Sequence, residues 1–330
     1  MITIPAETAP IQRAHEAAFI RLFTGHKTPR PLCICRIDHP EYLDCNPTEL
    51  DSWLKAAAVA VQERIDLAAH RRTFYPLLLE FWPLGVHFVD AVFGARVYKV
   101  DGNFWSDQLP CGLSDLAPVD VESSPLVRWA MDSMEKALAA LPEAVSITTP
   151  VFSSPLNIAL NLFNDRCLTG IISPGRAERR GLEIITNVIA SLHRHVRRRF
   201  TKRVRFYASS SRWAPDGFGH ICGCSTQLVG PQQYAREIAP LDESILNVYP
   251  EGGTIHLCGR HTQHIPCWRQ MQYLRGVQLN NDAADDFEIY FKNLRDDQVI
   301  YITPTANMPV DRILAISGGQ RVVLQARLES

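Results

Sequence analysis

Gly253-Thr254-Ile255-His256-Leu257-Cys258-Gly259-Arg260, then Gly276-Val277-Gln278-Leu279-Asn280, then Gln298-Val299-Ile300-Tyr301-Ile302-Thr303, are the stretches that decide the fold. Each is a short run of apolar and β-branched residues, the composition of a strand. The intervals Thr262 to Leu274 and Ala283 to Leu294 carry helical spacing, and a further helix is expected over Val310 to Ile316. Strand and helix in regular alternation predict parallel βαβ units and an α/β fold.

The same alternation extends upstream. Asn46-Pro47-Thr48-Glu49 reads as a helix start with an N-cap and a proline in the first turn, opening a helix to about His70. Thr73 to Glu80 reads as a buried strand, Val86 to Phe93 as helical and Ala95 to Val100 as a strand running into the aromatic loop Asp101-Gly102-Asn103-Phe104-Trp105. Helix Pro125 to Leu141, strand Ala144 to Thr149 and a long helix from Ser173-Pro174 to about Phe200 follow. Val204 to Tyr207 and His220 to Cys224 are competing strand candidates on either side of the loop Ser209 to Gly217, and a helix runs from Pro231 to about Tyr249. No linker, low-complexity segment or fixed-period repeat interrupts this order. One domain is therefore expected over residues 46–330, with residues 1–45, which hold Cys33, Cys35 and His39, as an N-terminal extension lying against it.

Composition narrows the function. The formal net charge is -1, so no general positive field draws the chain to nucleic acid or anionic lipid, and a small-molecule partner is favoured. The basic run His193 to Arg199 falls at an expected helix C-terminus, where cations complement the helix dipole. Nine cysteines, an odd number, and an N-terminus without signal-peptide zones predict free thiols in a cytoplasmic protein. No apolar run is long enough to span a bilayer. Nucleotide and serine-hydrolase chemistry are disfavoured: Gly217-Phe218-Gly219 lacks a third glycine, and no Gly-x-Ser-x-Gly occurs.

Chemistry is sought at strand C-terminal ends, where polar residues close otherwise apolar runs. Residues two apart on a strand share a face, so His256 and Cys258 point together, as do His220, Cys222 and Cys224. Thiolate and imidazole are preferred zinc ligands, and a catalytic zinc takes three from the protein. His256 and Cys258 with either Cys222 or Cys224 would complete such a set; buried packing is the competing reading of the same residues. His261, His264 and Cys267 fall on the following helix and read as packing. Glu80 could act as acid or base, or as an ion-pair partner. Arg260 could clamp a carboxylate. Asn280 and Trp105 are candidates to contact a bound cofactor, and Asn281 or Asp282 could cap a helix.

Gly253-Thr254-Ile255-His256-Leu257-Cys258-Gly259-Arg260 resembles the His-x-Cys-Gly strand end of the uroporphyrinogen decarboxylase superfamily, which includes the methylcobamide:coenzyme M methyltransferases. Cys224-Ser225-Thr226-Gln227-Leu228-Val229-Gly230-Pro231-Gln232-Gln233-Tyr234 with Pro240, and Phe93-Gly94-Ala95-Arg96-Val97 with Trp105, resemble family segments in the same order. The resemblance spans roughly residues 77–304 and implies a (β/α)8 TIM barrel. For the methyltransferase branch it implies a zinc that activates a thiol, a methylated corrinoid as donor and a corrinoid protein as partner.

Two departures matter. The decarboxylase segment Arg-Gln-Ala-Gly-Arg-Tyr is missing around Cys35-Arg36-Ile37-Asp38-His39-Pro40, and no cysteine follows Cys267 where the methyltransferases take a late ligand; Thr303-Pro304-Thr305 stands near that place. Zinc-thiolate methyl transfer is thus the leading expectation. Decarboxylation of a uroporphyrinogen-like tetrapyrrole, using Glu80 or Arg260, and a non-catalytic corrinoid- or tetrapyrrole-binding barrel are the alternatives. A homodimer is compatible with each.

Overall fold

The computed structural model describes residues 2–28, 31–36, 49–71, 74–172, 175–206 and 209–327. Its strands are β1 (Leu32–Arg36), β2 (Leu78–Leu79), β3 (Val97–Val100), β4 (Asn103–Ser106), β5 (Ser146–Thr148), β6 (Val204–Arg205), β7 (Gly219–Cys222), β8 (Gly253–Leu257), β9 (Leu274–Leu279), β10 (Val299–Ile302) and β11 (Val322–Arg327). They form a six-stranded sheet in the order β1-β11-β10-β9-β8-β7, a three-stranded sheet β2-β5-β6 and the hairpin β3-β4. Every pairing in the first two sheets is parallel. Among the described residues the hydrogen-bonded ladders thus make two parallel sheets. Ser153, in the segment that follows β5, makes a parallel bridge to Cys222 of β7.

Period-two alternation sorts the side chains. Ile255 and Leu257 of β8, Val277 and Leu279 of β9 and Ile300 and Ile302 of β10 enter the large core shared with the helices. The opposite face has an apolar and a polar part. Val299, Tyr301 and Val323 pack with Phe19, Leu22 and Phe23 of helix Thr8–Phe23 and with Trp213 and Phe218. His256, Gln278 and Gln325 are also buried on it, with Tyr301 the register partner of Gln278. The N-terminal helix therefore covers the apolar part of this face, and polar chemistry lies beside it.

Several expectations are corrected. Residues before position 46 do more than lie against the sheet, because β1 is its edge strand beside β11. Asp101-Gly102 is a tight turn with both residues at positive φ, so Asn103–Ser106 returns antiparallel on Val97–Val100 instead of forming an aromatic loop. Val204 and His220 were competing candidates for one strand; both lie in strands, one in each sheet.

The helix from Pro231 is broken by a π-turn over Tyr234–Ile238 just ahead of Pro240. A proline inside a helix removes an N–H and crowds the carbonyl four residues back, and a wider turn relieves both. The helix expected over Thr262 to Leu274 is only the short turns Thr262–His264 and Ile265–Trp268, and β9 begins at Leu274. The Asn46-Pro47-Thr48 cap, the Ser173-Pro174 cap and His39 lie outside the described residues. Among the described residues no helix is long and apolar enough to cross a membrane.

Candidate metal centre

β7 and β8 run in register, with Cys222 opposite His256. Beyond Cys222 the chain bends at Gly223 into the turn Cys224–Leu228, and beyond Leu257 it leaves through Cys258-Gly259. The two exits pack tightly: a Cβ on Gly223 would lie 2.7 Å from Ile255 Cγ2, and one on Gly259 only 1.7 Å from Gln227 Oε1. This closeness brings Cys224 to Cys258, with their sulfurs 3.4 Å apart. His256 Nε2 lies 3.0 Å from Cys258 Sγ. The ligand atoms of Cys224, His256 and Cys258 all fall within 4.8 Å of one another.

The surrounding residues hold this geometry. Ser225 N–H donates to Asn157 Oδ1 at 3.1 Å, and Thr226 Oγ1 donates to the Gly223 carbonyl at 2.8 Å. Buried His261 has Nδ1 2.6 Å from the Gly259 carbonyl and Nε2 3.2 Å from the Cys224 carbonyl, linking both exits. His264 Nε2 donates to the Thr226 carbonyl at 2.9 Å. These two histidines, read from the sequence as packing, brace the turn that carries Cys224.

Electrostatics separate the two thiols. The Cys224 thiol, which donates to Cys258 Sγ, holds the Cys258 thiol well below its ordinary range against the opposing effect of burial. Donating that bond, together with burial, pushes Cys224 up. Cys224 Sγ is thus the donor of the pair and Cys258 Sγ its acceptor. Burial, and after it the Arg212 guanidinium, pushes His256 down and keeps its ring neutral. Neutral imidazole and thiolate are the forms that bind a metal. His256 Nδ1 meets Gln278 Oε1.

Of the two cysteines left open as third ligand, Cys224 joins the cluster. Cys222 instead lies 3.6 Å from Arg212 Nη1 and 3.9 Å from His220 Nε2, and burial raises its pKa. Glu80 is buried immediately after β2, on the smaller sheet. Arg260 is 67% exposed on its side chain and pairs with Asp286 at 3.5 Å. Asn280 follows β9, with its backbone N–H bonded to the Leu257 carbonyl at 2.9 Å. Trp105 is 55% exposed on β4, in the separate hairpin. Gln278, Gln325 and Arg212 were missed. The available signal was a glutamine inside an apolar run, Val277-Gln278-Leu279 and Leu324-Gln325-Ala326.

No family model matches this chain, and no curated protein does. Among solved structures it resembles a methyltransferase from Methanosarcina mazei, with a TM-score of 0.60 at 12% identity, over 94% of this chain and 92% of that one. An agreement of that extent at so low an identity is an agreement of fold: the chain has the same parallel α/β architecture over nearly its whole length.

Proposed function

We propose that this chain is a methyltransferase of the uroporphyrinogen decarboxylase superfamily that transfers a methyl group to a substrate thiol, with zinc held by Cys224, His256 and Cys258. The observation that carries the reading is the convergence of two sulfurs and one imidazole nitrogen from separate strand ends within 4.8 Å. That donor set fits zinc, and three protein ligands leave a fourth position for substrate. Cys224 takes the place of the late-chain cysteine that this sequence lacks.

Zinc bound there would lower the pKa of a substrate thiol and keep it as the nucleophilic thiolate. The protein's own part is orientation. Cys258 supplies a thiolate already favoured by its neighbours, Cys224 approaches from the facing turn, and His256 presents Nε2 beside them. A methylated corrinoid is the proposed donor, and a corrinoid protein the partner.

β2 and β5 to β11 are eight strands joined only by parallel pairings, and the Ser153–Cys222 bridge links the segment after β5 to β7. We place them as arcs of one (β/α)8 barrel over residues 46–330, to which residues 1–45 add β1 and the N-terminal helix.

Protein purified without chelator is expected to carry about one zinc per chain. Cys258→Ser and His256→Ala should lose it, whereas Cys111→Ser and Cys167→Ser should keep it. Wild type that holds no stoichiometric zinc and takes none up at neutral pH would sink the reading.

A further inference from the structure

The metal centre rests on a hydrogen-bond chain whose direction is set away from the site. His256 Nδ1 meets Gln278 Oε1 on β9, its register partner. Gln278 Nε2 donates to Gln325 Oε1 on β11 at 2.8 Å, reaching past β10, and Thr303 Oγ1 donates to the same oxygen at 2.9 Å. Gln325 Nε2 donates to the Ser211 backbone carbonyl at 2.6 Å. Both glutamines are 3% exposed, so water does not offer them alternative partners.

Side-chain amides can flip, but a backbone carbonyl only accepts. The Ser211 carbonyl therefore requires the Gln325 NH2 group to face it. That leaves Gln325 Oε1 toward Gln278 and Thr303, so Gln278 must offer its NH2 group there. Gln278 Oε1 is then left for His256, and Nδ1 must carry a proton. In every protonation state of the ring, Nε2 is the only nitrogen that can be free for a metal.

A second chain repeats the logic from the neighbouring residue. Arg212 Nη1, which only donates, lies 3.1 Å from His220 Nε2. Nε2 of His220 must accept, and its Nδ1–H then donates to Thr254 Oγ1 at 2.9 Å. Ser211 and Arg212 share one turn, Ser210–Arg212, so adjacent residues orient both interior histidines in the same Nδ1–H form.

We propose that Gln278 and Gln325 are positioning residues which, anchored by the Ser211 carbonyl, lock His256 with Nδ1 protonated and aim its Nε2 lone pair at the Cys224 and Cys258 thiols. The role of that lone pair rests on the zinc reading above; the locking of the ring does not. Second-shell partners of metal-bound histidines fix ring orientation and tautomer, and losing one weakens metal binding by about 10–100-fold.

The test uses full-length protein labelled with ¹⁵N-histidine and freed of metal, with the His256 signals assigned by their loss in His256→Gln. Long-range ¹H–¹⁵N correlation should show Nδ1 protonated and Nε2 bare in wild type. Gln325→Leu, one amide removed from His256, should allow the Nε2–H form to appear, and zinc affinity, read by competition with a chromophoric chelator, should fall about 10–100-fold. A wild-type ring with bare Nδ1, or a Gln325→Leu protein with unchanged tautomer and unchanged zinc affinity, overturns the proposal. The wild-type measurement stands even if the variant does not fold. If the tautomer behaves as described and wild type binds no zinc, the chain of amides survives and the zinc reading alone fails.

Discussion

The six-stranded and three-stranded sheets are both parallel, yet they differ in what they carry. β7 to β11 are runs of four to six residues, while β2, β5 and β6 are pairs or triplets. All three candidate metal ligands and both glutamines behind them belong to the larger sheet or its exits. The smaller sheet contributes Glu80, and Thr148 Oγ1 accepts from the Phe81 N–H at 2.8 Å. Prolines bound it closely: Pro76 precedes β2, and Pro150 and Pro155 follow β5. Proline cannot donate to a ladder and keeps such strands short. A site that needs ligand atoms held to a fraction of an ångström is found where the ladder is long enough to fix register.

The contrast is open to direct attack. The largest effect should come from Gly276→Ala, because its Cβ would lie 2.4 Å from the Val299 carbonyl of the adjacent strand, where only backbone movement makes room. A loss of about 3 kcal/mol or more is expected in denaturant unfolding. Next, Ile255→Ala in β8 and Ile147→Ala in β5 each empty a fully buried site and should cost about 2–5 kcal/mol. If the sheets unfold as one unit, Ile147→Ala will also raise the alkylation rate of Cys224 and Cys258. Unchanged thiol protection in that variant would show two independent units and break the single-domain expectation.

A smaller, pH-dependent effect lies outside the larger sheet. Trp268 Nε1 donates to Tyr234 OH at 2.9 Å, which donates to Asp242 Oδ2 at 3.0 Å. Burial pushes the Asp242 carboxyl from 3.8 up to about 7. Between those values the folded protein keeps a proton that the unfolded chain has released. Stability from this group is therefore complete at low pH, falls as pH rises from about 4 to about 7, and is flat above. Asp242→Asn should remove that slope and raise the melting temperature at pH ~8 relative to wild type, an effect of at most a few kcal/mol. A wild-type slope retained in Asp242→Asn assigns the dependence to other groups. Smallest of all, Arg260→Ala breaks an exposed pair and should change stability by no more than about 0.5 kcal/mol and leave zinc content untouched. Loss of metal in that variant would return Arg260 to the site.

The larger sheet was the legible one. β8, β9 and β10 appear in the sequence as apolar runs with helices between, and strand-end position, alternation and the family resemblance together pointed to His256 with Cys258, which lie 3.0 Å apart. β2 and β6, at two residues each, carry too little pattern to bound, and β11 lay beyond the last expected helix. Cys224 was assigned to a strand face that it does not share. It sits in the turn past Gly223, which packs closely on Ile255 of β8, and from there its sulfur reaches Cys258. Periodicity describes one strand at a time, whereas this site is made by two chain exits meeting. The glutamine chain was invisible for a related reason. Its logic depends on the Ser211 backbone carbonyl, and every residue has one.

Finally, β1 stands at the edge of the larger sheet with Leu32 opposite Val323, and the Gln320 side chain donates to the Thr28 carbonyl across 292 positions. Ribosomes add about 5–20 residues per second, so roughly 15–60 s separate the emergence of the N-terminal helix from that of its last strand partner. Throughout that interval Phe19, Leu22 and Phe23 have no β11 to pack on, and the edge of β1 has no ladder. The helix that covers this part of the sheet therefore reaches its final packing only after the whole sheet has been synthesised.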